Sequence, residues 1–103
     1  MSLIARKSDL ELEAQFISEH RMYLGNMVTG LFGMQEKLEP GSQAAKILDA
    51  RIQQLQQADK MLEMQLNRIN SQAEACDKEM QGAQKMVDQD IQESFGLAGQ
   101  PKQ

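Results

Sequence analysis

An all-α chain folded as an antiparallel helical hairpin, or coiled coil, with a long C-terminal helix is the fold this sequence predicts, and three observations predict it. The composition is a helix-forming palette of Gln, Glu, Ala, Met, Leu and Lys, with 4% aromatic residues and no Trp. An apolar stripe recurs in steps of four and three through Leu48, Ile52, Leu55, Asp59, Leu62, Leu66, Ile69, Ala73, Cys76, Met80, Ala83 and Val87. A 3.5-residue period sustained that far makes a single long helix whose seam needs a partner along its length. The third observation is one strong break, Glu39-Pro40-Gly41-Ser42, which divides the 103 residues into a shorter and a longer arm.

The first arm opens with a local start signal. Ser8-Asp9-Leu10-Glu11 has the capping-box pattern, and Asp9, Glu11 and Glu13 suit the positive end of a helix. A helix over about residues 8–39 follows, with seam positions Leu10, Ala14, Ile17, Arg21, Leu24, Val28, Leu31, Gln35 and Leu38. The turn is residues 40–42: Pro40 turns Glu39 away from the α conformation, Gly41 permits positive φ, and Ser42 can cap the next helix. The second helix is predicted over about residues 43–95, on the order of 80 Å at 1.5 Å per residue. Gly96 is placed to end it as a left-handed cap, leaving residues 96–103 as a frayed tail within a single 1–103 domain.

Folding one arm back on the other sets Leu31 opposite Ile52, Ile17 opposite Leu66 and Leu10 opposite Ala73. The first helix is then exhausted near Met80, while Ala83, Val87, Ile91 and Phe95 continue the stripe beyond it. Leaving the last three in water forgoes roughly 1.5–3 kcal/mol each, so the overhang predicts a contact with another subunit. Leu12, Phe16, Tyr23, Met27, Phe32 and Met34 also lie outside the first helix's seam, as do Ile47, Met61 and Met64 on the second. One partner helix cannot cover both sets.

Particular residues sharpen this expectation of an oligomer. Gly25, Gly30 and Gly33 fall inside the first helix, where each costs up to about 1 kcal/mol relative to Ala. Close approach of another subunit, a kink or short break, or an interfacial membrane segment would each account for them. The mixed charges of the flanks Glu19-His20-Arg21 and Glu36-Lys37 fit a membrane surface least. The candidate interface is therefore Phe16, Gly25, Gly30, Gly33, Ala83, Val87, Ile91 and Phe95. Asp59 interrupts the second seam and Arg21 the first, about a turn from pairing, so these two are candidates for fixing register. A partly hydrated carboxylate is the plainer reading of Asp59.

The same residues argue against a site of chemistry. The one histidine, His20, and the one cysteine, Cys76, fall far apart along the hairpin, and no pair of carboxylates stands out as acid and base. Cys76 reads as a small seam residue, and a single thiol makes neither an intrachain disulfide nor a structural zinc site. No enzyme, cofactor or metal is expected. A formal net charge of -4, with 11 basic residues dispersed among 15 acidic ones, offers no cationic track for nucleic acid. The longest uncharged run, Met22 to Gln35, is short of the ~20 apolar residues of a membrane span. The first residues, Met1 to Lys7, are too short in apolar character for a cleaved signal peptide. The chain is expected in the cytoplasm, or exported by a route without such a peptide.

A Pro-containing turn joining two helices, the second longer and ending Met86-Val87-Asp88-Gln89-Asp90-Ile91-Gln92-Glu93-Ser94-Phe95, resembles the needle subunits of bacterial type III secretion systems. The resemblance covers the layout and about ten residues; the chain has no double-proline turn and is longer than that family's pattern. It implies a hairpin whose terminal helix packs into a hollow filament. The expected function is thus a non-enzymatic structural protein that self-associates into a bundle or filament. An adaptor or chaperone-like module that binds a helix of another protein is the alternative, since Met-rich surfaces adapt to varied partners.

Overall fold

In a computed structural model, which describes residues 2–99 with side chains through Ser94, two helices pack antiparallel along one line. Helix α1 is Leu3–Gln35 and α2 is Gln43–Gly99, and the described residues contain no strand. At 1.5 Å per residue the 57 residues of α2 reach about 85 Å. The radius of gyration, 25.4 Å, is about twice the ~13 Å of a compact chain this long.

The start of α1 corrects the sequence expectation. Ser8 lies in the helix interior, and the cap is Ser2, whose Oγ accepts from the Ala5 amide at 3.2 Å. Tertiary packing explains the difference, because the seam extends one heptad further to Leu3 and Lys7, both half-buried against α2. The other end also moves: α1 stops at Gln35, four residues early, and unwinds through Lys37 N–H to Met34 O and Leu38 N–H to Gln35 O, both 3.1 Å. Leu38 stays half-buried within this connection rather than within the helix.

Glu39-Pro40-Gly41-Ser42 closes with the Ser42 amide donating to Glu39 O at 3.1 Å. Pro at the second position and Gly41 at φ +79° at the third are the residues a type II turn calls for. Ser42 Oγ then accepts from the Ala45 amide at 3.2 Å and caps α2. At the far end α2 does not stop at Gly96 but continues to Gly99. Residues 100–103, the rest of the expected tail, lie outside the described residues.

The core is a single line of side chains between the helices. Leu10, Leu24, Ala45, Ile52 and Cys76 are buried, and half-buried Ile17, Val28, Leu31, Leu55, Leu62, Leu66 and Ile69 fill the intervals. Such a seam shields one side of each helix and leaves the others to solvent. Consequently the described residues include thirteen large apolar side chains that are exposed.

Candidate assembly interface

The seam is locked by ion pairs at two levels. At the middle, Arg21 donates through Nε to Asp59 Oδ1 at 2.9 Å and through its terminal nitrogen to Asp59 Oδ2 at 3.3 Å, with Glu63 a further 3.6 Å contact. The two-pronged hydrogen bond from Arg21 holds the Asp59 carboxyl below its ordinary pKa, against a smaller opposing effect of burial. Both side chains remain about one-third exposed, 30% and 36%, so neither is a stranded buried charge. A forked guanidinium contact has a narrow geometry, which ties these two positions of the helices together.

Near the open end, Lys7 Nζ donates to Asp77 Oδ1 at 2.8 Å and sits 3.8 Å from Glu11. Its pKa is raised, first by the hydrogen bond to Asp77 and then by that carboxylate's charge. Beside it, the Cys76 thiol donates to Leu3 O at 3.2 Å. Sequence reasoning missed the Lys7–Asp77 pair, because starting the helix at Ser8 left Lys7 outside it. The signal available was Leu3 and Lys7 themselves, which continue the four-and-three spacing of the first seam. Gln35 and Asp49 hydrogen-bond at the turn end. His20 is exposed, and it is Arg21 rather than His20 that meets Glu63.

Past Met80 the character of the molecule changes. Leu3, Ile4, Met80 and Val87 border a notch where α1 begins and α2 goes on alone. Every described side chain from Gln81 to Ser94 is exposed, including Ala83, Val87 at 51% and Ile91 at 59%. The stripe of the seam continues here exposed, with the start of α1 bordering it at the notch beside Ala83 and Val87. Phe95, expected to extend the stripe, lies outside the residues whose side chains are described.

The remaining candidates lie at different angles around α1. Helix α1 runs without interruption through Gly25, Gly30 and Gly33, and a Cβ built at any of them meets nothing within 4 Å. No helix of this chain therefore presses on these glycines. At 3.6 residues per turn, Phe16 and Gly30 share one flank with Leu12, Tyr23 and Met34, Gly33 falls on the back of α1 near Met22 and Ile4, and Gly25 lies about 80° from Gly33, toward α2. Gly25 borders a shallow hollow with Arg21, Val28, Gln56 and Asp59. The described ones among these expected interface residues thus lie on the α2 overhang and on different sides of α1.

Among the described residues no group of three His, Cys, Asp or Glu side chains could hold a metal, and no helix is long and apolar enough to cross a membrane. No family model, curated protein or solved structure matches the chain. Its all-α hairpin architecture and packed helices are what its own residues define.

Proposed function

We propose that this chain is a non-enzymatic structural protein that self-associates through helix packing into a bundle or filament, with the α2 overhang as an intersubunit contact. The observation carrying this reading is the run from Gln81 to Ser94, whose described side chains are all exposed as the seam stripe runs on past the start of α1. Burying the exposed half of Val87 and Ile91 in a second molecule recovers roughly 1–1.5 kcal/mol apiece. The layout shared with type III secretion needle subunits supports the filament form, and with it export by a route without a cleaved leader. Residence in the cytoplasm is the other setting consistent with this reading.

Light scattering over a series of concentrations tests it. Self-assembly gives a mass that grows with concentration, and Val87→Glu/Ile91→Glu stops that growth while leaving the helical signal of the hairpin in place. A full chain of constant mass at all concentrations overturns the proposal. The second reading, a module that captures a helix of another protein, draws on the exposed Met22, Met34, Met61, Met64 and Met86, whose flexible side chains fit varied partners. That reading expects a small species that grows only when its partner is added.

A further inference from the structure

The outer flank of α1 carries a pattern that reads the same in both directions. Leu12, Phe16, Tyr23, Gly30 and Met34 lie roughly 120° around the helix from the seam, counted at 3.6 residues per turn, with half-buried Met27 at their edge. Phe16 is 59% exposed and Tyr23 62%. Reflected about Tyr23, Leu12 exchanges with Met34 and Phe16 exchanges with Gly30. A large ring and a missing side chain are thus equidistant from one central residue.

From this we propose that the outer flank of α1 binds the same flank of a second copy, antiparallel, on a two-fold axis through Tyr23. In that arrangement Phe16 of each copy fills the space over Gly30 of the other, Leu12 meets Met34, and the two Tyr23 rings meet at the axis. A two-fold contact joins one patch to itself, so the patch must be self-complementary in this sense. Gly30 gains a purpose that its own chain does not give it, since its missing side chain faces open space in the hairpin.

Shape selects the antiparallel direction. Antiparallel, the two Glu19 carboxylates are offset by eight residues, about 12 Å of helix rise, and each falls beside Asn26 of the other copy on the same edge. A parallel pair sets Phe16 against Phe16 and Gly30 against Gly30, combining crowding and a void. The antiparallel pair also sends the two α2 overhangs out of opposite ends. Each dimer would then offer an unpaired stripe at both extremities, which is what a linear assembly requires.

The test uses the full-length chain carrying Val87→Glu/Ile91→Glu, so that the overhang contact is removed and only the α1 contact is read. Sedimentation equilibrium is expected to give twice the chain mass. Adding Gly30→Phe should reduce the mass two-fold, to a single chain, and Phe16→Ala together with Gly30→Phe should restore the dimer. Tyr23 is the only Tyr in a chain without Trp, so quenching of its emission by acrylamide reports the axis directly, rising when the dimer separates. Circular dichroism checks that Gly30→Phe keeps its helices, as the open space at that position requires.

A single-chain mass before Gly30 is changed, or a dimer indifferent to Gly30→Phe, overturns the proposal. The two contacts fail separately. Growth of the unmodified chain alongside a monomeric Val87→Glu/Ile91→Glu variant upholds the overhang and sinks the α1 dimer. A dimer that is the largest species of both upholds the α1 contact and sinks the overhang.

Discussion

Asp59 is the residue where charge and pH meet. Its carboxyl is held below the ordinary 3.8 chiefly by the Arg21 hydrogen bond. A group with a depressed folded pKa contributes stability at pH values above its unfolded pKa, and loses it as pH falls through the folded one. The melting temperature is therefore expected to fall on acidification through that range. Asp59→Asn should melt lower at neutral pH and show a flatter acid limb, the two curves converging once Asp59 is protonated; parallel curves would deny the pair any role in folding. Lys7, whose pKa is raised by Asp77, works in the other direction: its contribution is complete below its unfolded pKa and is lost as pH rises through the folded one. Asp59→Leu removes the polar seam position altogether. It should raise the melting temperature and broaden the distribution of oligomer sizes, whereas an unchanged distribution would exclude a register role.

At the scale of the elements, glycines in helix and turn behave in opposite ways. Gly33 has open space around it and an ordinary helical backbone, so Gly33→Ala is expected to stabilise the hairpin by about 0.5–1 kcal/mol. Gly41 holds φ +79°, and Gly41→Ala should cost about 1 kcal/mol by forcing an L side chain into the left-handed region. Thermal melts of the two variants should shift to opposite sides of the parent; a loss at Gly33→Ala would point to a packed neighbour at that position.

The turn was legible in the sequence because Pro40, Gly41 and Ser42 each specify a local conformation without help from the rest of the chain. The seams were legible for a similar reason, their spacing being a property of each helix alone. The start of α1 was not. Ser2 and Ser8 both offer a capping hydroxyl, and what extends the helix to Leu3 is contact with Cys76 and Asp77, seventy or more residues away. Likewise the expected interface residues were chosen by type, and their separation into an overhang and different sides of α1 emerges only once α2 occupies one side of α1. The end of α2 was misplaced because Gly96 permits a left-handed cap without requiring one.

For the whole molecule, the decisive quantity is the difference in length between 33 and 57 helical residues. Truncation after Met80 removes the unpaired part of α2 while keeping the Arg21–Asp59 and Lys7–Asp77 contacts. The shortened chain should melt as a hairpin near the parent temperature but lose concentration-dependent growth in light scattering. If it assembles as the full chain does, the overhang is not the contact and the flanks of α1 carry the association instead. A marked fall in melting temperature would assign the last turns of α2 a role in the hairpin itself.

The slender outline of the hairpin changes how its size must be measured. A rod with a 25.4 Å radius of gyration suffers far more drag than a sphere of equal mass. On a gel-filtration column calibrated with round standards, even a lone chain would elute early and pass for a multimer. Friction would imitate association, so mass has to come from scattered intensity or sedimentation equilibrium, where shape does not masquerade as stoichiometry.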